Sequence, residues 1–163
     1  MKIGIISAVP EEINTIHHDI HFDQVIDHAE RQFYLGSYAS IELVLVYSRV
    51  GKVAASITAT ALIEKFNVDK IIFTGLAGAV SAQLNRGDII LCDRAYQHDL
   101  DARPLCVNQF EEPLSGRSLF EFNANELKLA KKAINNFITN LESYVDLNEL
   151  KRLNVIYRYH CYR

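Results

Sequence analysis

Three short, largely apolar runs each end in a turn, and this pattern constrains the fold more than any other feature of the chain. MKIGIIS runs into SAVPEE, Ile41–Tyr47 into SRVGK, and Lys70–Phe73 into TGLAG. Short apolar runs bounded by turns read as strands of a parallel sheet buried on both faces. Sheets of that kind take ligands beyond the carboxyl ends of their strands. Chemistry is therefore expected at those three turns.

Helical periods lie between the runs, and strands alternating with helices predict an α/β domain. Pro10 suits a first helical position, and Ile13, Ile16 and Ile20 give the following helix one apolar face. Gln32–Leu35 and Ile41–Tyr47 read as two strands, and Gly36 and Ser37 in the connection predict a hairpin. Val53–Phe66 is Ala-rich and apolar on most of its circumference, so a helix there is covered by its own sheet and by a partner chain. Asp88–Cys92 reads as a further strand that Ala95–His98 continues or bends from, and 99–119 reads as a long loop. Asn123 with Glu126 resembles a capping box, ahead of a helical stripe through Leu127, Ala130, Ile134, Phe137 and Leu141.

Composition narrows the function. The 163 residues are 49% hydrophobic and 23% charged with net charge −3, which suits one globular domain and lacks the basic excess of a nucleic-acid binder. No apolar run is long enough to span a membrane, and none resembles an export signal. Cys92, Cys106 and Cys161 are widely spaced and read as reduced thiols of a cytoplasmic protein.

Glu11 and Glu12 follow the first strand. Acids in a first helical turn complement the helix dipole, and from the residues alone that reading is preferred. A carboxylate at a strand-end cleft is also a candidate general base toward water, with a pKa raised by the small, apolar Ser7-Ala8-Val9 turn. TGLAG lets a ligand approach the backbone, although by itself it reads as a tight turn. His98-Asp99-Leu100-Asp101 lacks a second His or Cys at ligand spacing, so no metal is expected. His17, His18, His21 and His28 read as solvated on or near a polar helix surface, and Arg49 as a salt-bridge partner.

MKIGIISAVPEE, SRVGKVAAS-x-TAT, IIFTGLAGAV, RGDIIL and YQHDLDARPL occur in that order, and together they resemble the 5′-methylthioadenosine/S-adenosylhomocysteine nucleosidases of the nucleoside phosphorylase superfamily. The match runs from Met1 to about Pro113 and continues loosely to Val155. The resemblance implies a three-layer α/β/α fold with a twisted, mostly parallel mixed central sheet, here missing its C-terminal elements. It implies a homodimer that hydrolyses the N-glycosidic bond of methylthioadenosine and S-adenosylhomocysteine to release adenine, without cofactor or metal. Glu12 matches the carboxylate that activates water. Val9 and Val50 match residues lining the sugar and alkylthio region, and Leu76 stands where many members have Ser. Ala102 and Leu105 match positions beside the base and alkylthio pockets, and Val107 and Pro113 match positions that reach a neighbouring subunit's site. A purine nucleoside phosphorylase is disfavoured, because the acidic pair would repel phosphate. The family's leaving-group Asp, and the Met-Glu pair that holds ribose, have no counterpart in the 163 residues, so little or no activity is expected, and a non-catalytic nucleoside-binding remnant is the alternative.

The chain thus reads as a single incomplete domain over residues 1–163, with 156–163 as a non-native tail. Ile156–Arg163 has three tyrosines and two arginines and no apolar period, so it is expected to pack loosely. One permitted coding, read from its second base, gives Tyr-Thr-Gly-Thr-Ile-Ala-Thr-Gly, which resembles the family's strand at this point. A one-base frameshift near codon 156 would account for it.

Overall fold

The computed structural model describes residues 1–85, 87–140 and 155–162, the last of these as backbone. Arg86, Leu141 and Arg163, which the sequence reading places in a motif, a helical stripe and the tail, lie outside the described residues. The chain forms two compact units, Met1–Gly78 and Ala79–Arg163.

The first unit is a five-stranded sheet. Its strands are β1 (Lys2–Ser7), β2 (Phe22–His28), β3 (Arg31–Tyr38), β4 (Ile41–Tyr47) and β5 (Lys70–Phe73), in the order β2-β3-β4-β1-β5. β1 runs parallel to both β4 and β5, while β2, β3 and β4 form an antiparallel meander. The sheet is mixed, as the α/β reading requires. β4 is its most deeply buried strand: Leu43, Val44, Leu45 and Val46 are inaccessible in succession, so both faces are covered, and this produces the unbroken apolar run in the sequence.

One face of the sheet packs on α2 (Lys52–Glu64) through Ile6, Phe33, Val44, Val46, Ala61, Leu62 and Phe66. Phe33 and Phe66 stack with ring centroids 4.4 Å apart. Close packing explains Gly4 in the middle of β1: a Cβ there would meet Leu62 Cδ1 at 3.0 Å. After β1 the chain makes a 3₁₀ turn, Pro10–Glu12, then α1 (Asn14–Asp19), with Ile13 buried at the joint.

Two expectations are corrected here. The β3–β4 turn is made by Ala39 and Ser40, both at positive φ (46° and 68°), and not by Gly36 and Ser37, which lie inside β3. Gly36 is there because a Cβ would collide with the carbonyl oxygen of His21 at the start of β2. β2 itself is absent from the sequence reading, and His28 sits in that strand, not on or near a helix.

The second unit has β6 (Ile89–Tyr96), β7 (Phe120–Glu121), α3 (Ala124–Thr139) and β8 (Val155–Tyr162). β6 lies between antiparallel β7 and parallel β8. The tail expected to pack loosely therefore contributes a strand, with register shifts where β8 passes Cys92. Its Val, Ile and Tyr content favours extended backbone irrespective of side-chain period. Asn123 caps α3 as expected, its Oδ1 accepting from the N–H of Asn125 (2.9 Å) and Glu126 (3.3 Å). The three-thiol expectation also changes: Cys106 is free, whereas Cys92 is disulfide-bonded, its partner outside the described side chains.

Candidate active site

The turn after β1 folds back on itself around one carboxylate. Pro10 starts the 3₁₀ turn, and the Glu12 side chain returns to the backbone that precedes it. Its Oε2 accepts from Ser7 Oγ (2.5 Å), Ala8 N–H (2.9 Å) and Val9 N–H (3.3 Å). The other oxygen, Oε1, accepts from Leu76 N–H at 2.9 Å, from the turn that follows β5. Parallel pairing of β1 with β5 brings residues so distant in sequence together, Ile6 lying opposite Phe73. Gly75 makes the approach possible: a Cβ there would stand 2.8 Å from Glu12 Oε1.

The electrostatics reverse one expectation. Burial pushes the Glu12 pKa up, but hydrogen bonds from the Ser7 hydroxyl and from the Leu76, Val9 and Ala8 amides outweigh it. The net shift is downward, so Glu12 is an ionised carboxylate at neutral pH. Capping and cleft are not alternatives here, since the same carboxylate satisfies the turn's amides and stands at the strand ends.

Beside this clamp lies an open depression of about 360 Å³, to whose lining Ala8, Val9 and Val50 contribute. Arg31, Tyr34 and Tyr47 also line it, as does Arg49, which pairs with Glu30 at 3.2 Å as the sequence reading expects. Burial, with Tyr34 and Glu11 nearby, holds the Tyr47 phenol above its ordinary pKa.

Of the residues singled out from sequence, Glu12 and Leu76 meet directly, and Val9 and Val50 share the depression. Leu76 meets Glu12 through its backbone, its side chain being 90% exposed. Ala102, Leu105, Val107 and Pro113 belong to the second unit, in the loop that follows β6. There Leu105 N–H donates to the Ala102 carbonyl at 2.8 Å, and Leu105 and Val107 are exposed. Asp101 in the same loop pairs with Arg103, whose guanidinium holds the Asp101 carboxyl at about 2. Sequence reasoning passed over Arg31, and took Ser7 and Gly75 only as members of the Ser7-Ala8-Val9 and TGLAG turns. β5, expected to be a buried strand, is exposed along most of its length because it is the edge strand of the sheet (Ile72 50%, Phe73 42%), and what approaches Gly75 in the turn after it is Glu12 from within the chain.

A family model described as the Phosphorylase superfamily matches residues 2–159. The chain belongs to the phosphorylase superfamily. Within that superfamily it is 35% identical over 140 residues to an aminodeoxyfutalosine nucleosidase of Campylobacter jejuni, covering 81% of this chain and 59% of the relative. It is 38% identical over 133 residues to a 5′-methylthioadenosine/S-adenosylhomocysteine nucleosidase of Staphylococcus saprophyticus, covering 82% and 58%. A crystal structure of such a nucleosidase from Colwellia psychrerythraea, in complex with adenine, superposes with a TM-score of 0.80 at 26% identity, covering 96% of this chain and 60% of that one. The chain thus spans about three-fifths of the length of these superfamily members, with the mixed, mostly parallel sheet expected from its sequence.

Proposed function

We propose that the chain carries the water-side half of a nucleosidase site, one that hydrolyses the N-glycosidic bond of adenine nucleosides such as methylthioadenosine and S-adenosylhomocysteine. The observation that carries this reading is the Glu12 carboxylate, fixed by Ser7, Ala8, Val9 and Leu76 at the carboxyl ends of β1 and β5. Four donors make Glu12 a weak base, but they hold a full negative charge in one place. Cleavage of a ribosyl C–N bond develops positive charge on the sugar ring, which a fixed anion stabilises. Of the two carboxylate oxygens, Oε1 accepts only one of the four hydrogen bonds, leaving room to orient a water for attack on the anomeric carbon. Val9 and Val50 stand at positions that the resemblance assigns to the sugar and alkylthio region, and Leu76 at one that many members fill with Ser; the same resemblance assigns Ala102 and Leu105 to positions beside the base and alkylthio pockets, and Val107 and Pro113 to a neighbouring subunit's site.

Departure of adenine also needs a proton, and the 163 residues hold no counterpart of the acid that the resemblance implies. Loss of a general acid lowers rates by about 10²–10⁴-fold. The isolated chain is expected to bind nucleoside and to release adenine slowly or not at all. No cofactor or metal enters the reaction. The role fits adenine-nucleoside catabolism and methionine salvage in the cytoplasm.

A homodimer through α2 completes the reading. Val53, Ile57 and Ile63 on that helix are exposed, at 75%, 44% and 51%. Size-exclusion chromatography of the wild type and Glu64→Arg tests it: a dimer that the variant dissociates is expected, and a monomeric wild type overturns it.

Calorimetry with methylthioadenosine, and adenine release with and without phosphate, test the activity. Binding lost in Glu12→Gln is the expected result. No binding of any adenine nucleoside at millimolar concentration overturns the reading, and turnover that requires phosphate reassigns the chain to phosphorolysis.

A further inference from the structure

Among the described residues, Ser7 supplies the one side-chain hydrogen bond that Glu12 receives; the other three come from main-chain amides. The Ser7 hydroxyl has one proton and two acceptors near it, Glu12 Oε2 at 2.5 Å and the Val9 carbonyl at 3.2 Å. The shorter contact is to a full charge, so the proton goes to the carboxylate. Ser7 is also held firmly. It is the last residue of β1, fully buried, and lies opposite Tyr47 of β4. Its carbonyl accepts from the Ser48 N–H at 2.7 Å. A hydroxyl on a paired strand keeps its direction better than one on a loop.

The other side of the carboxylate is built differently. The turn after β5 gives Oε1 the Leu76 N–H and, among the described residues, no side-chain donor. Gly75 has no side chain to give, and that of Leu76 lies in solvent. By the resemblance, Leu76 stands where many members have Ser. A hydroxyl at that position would branch from the residue whose N–H already touches Oε1, within reach of the same carboxylate. The exposure of the Leu76 side chain leaves room for it.

We propose that Ser7 is the positioning residue of the Glu12 carboxylate, and that its hydroxyl, coming from the end of β1, replaces one that the turn after β5 could supply at position 76. The proposal rests on the nucleoside reading above and adds to it the residue that keeps the anion aimed. Ser7 acts through Glu12 and takes no part in bond cleavage.

The test uses the full 163-residue chain and two probes. One is neutral methylthioadenosine. The other is its analogue with a protonated pyrrolidine in place of the ribose, which carries positive charge where the sugar ring develops it. A fixed Glu12 anion favours the cation. Ser7→Ala should lower the cation-to-neutral affinity ratio about tenfold, the worth of one charge-assisted hydrogen bond. Adding Leu76→Ser to that variant should restore most of the ratio, and the gain should exceed what Leu76→Ser gives the wild type. The carboxyl-carbon resonance of Glu12, followed by NMR on isotope-labelled chain, reads the same contact without ligand. Its titration midpoint should rise in Ser7→Ala, since a donor to the charged form is gone, and fall back in the double variant. A general loosening of β1 accounts for neither recovery, because an exposed hydroxyl at position 76 repairs no packing. An unchanged ratio or midpoint in Ser7→Ala, or a double variant no better than Ser7→Ala, overturns the proposal and leaves the nucleoside reading intact. Failure of the wild type to bind either probe overturns both.

Discussion

A Cβ added to Gly75 would stand 2.8 Å from Oε1 of Glu12 and 3.0 Å from both Cδ and Oε2. The conformation of Gly75 is not left-handed, so an alanine fits the backbone and the conflict is one of space alone. Glu12 cannot yield without giving up its four donors. Gly75→Ala should therefore swing the carboxylate out of its clamp, lower stability by about 1–3 kcal/mol and weaken nucleoside binding. Thermal melts and calorimetry check this; unchanged stability and binding would show that the clamp is not rigid.

Ser7 is fully buried, and its hydroxyl is the shortest of the four contacts to Glu12. Ser7→Ala should cost about 1–2 kcal/mol at neutral pH and raise the Glu12 titration midpoint toward the ordinary carboxylate range. The sign follows from linkage. Glu12 has a lowered pKa when folded, so its contribution is fully present above its unfolded pKa and is lost as pH falls through the folded value. The stability gap between wild type and Ser7→Ala should therefore narrow in acid. Urea melts at neutral and acidic pH measure it, and a gap that widens on acidification contradicts the clamp.

Gly4 and Leu62 share one space in the core. Gly4→Ala alone forces its Cβ against the Leu62 methyls at 3.0 and 3.2 Å, and Leu62→Ala alone leaves a cavity. The first should cost about 1–3 kcal/mol and the second about 2–5 kcal/mol. The double variant should be more stable than the sum predicts, because the new methyl enters the cavity. A double-mutant cycle by chemical denaturation reads the coupling, and strict additivity would place the two residues out of contact.

Ala39 and Ser40 adopt positive φ without the residues that favour it. Replacing the pair with Asn-Gly should stabilise the β3–β4 hairpin by about 1 kcal/mol. A rise in melting temperature is the expected readout, and a fall would mean that the turn has another conformation.

Much of this architecture was legible because it rests on side-chain pattern. The apolar runs of β1, β4 and β5, the Ala-rich α2 and the Asn123 cap each follow from residue type. β2 was not legible, because Phe22–His28 is only half-buried on one face and alternates weakly among acids and histidines. Gly36 was misread because a glycine marks a close approach of chains as readily as a turn. Glu12 could be placed in sequence, but the direction of its pKa shift could not. Three of its four donors are main-chain amides, which every residue but proline possesses, so residue type does not reveal them.

The contact between Leu76 and Glu12 joins positions 64 apart, and so sets a time as well as a place. During synthesis the Glu12 side chain leaves the ribosome as an ordinary solvated acid, with its own turn but without its far partner. Only when residue 76 has emerged can the ring of donors close, and loop-closure entropy opposes the step until β5 has docked on β1. The hydrogen-bond shell of one carboxylate is therefore completed only when the first half of the chain has assembled.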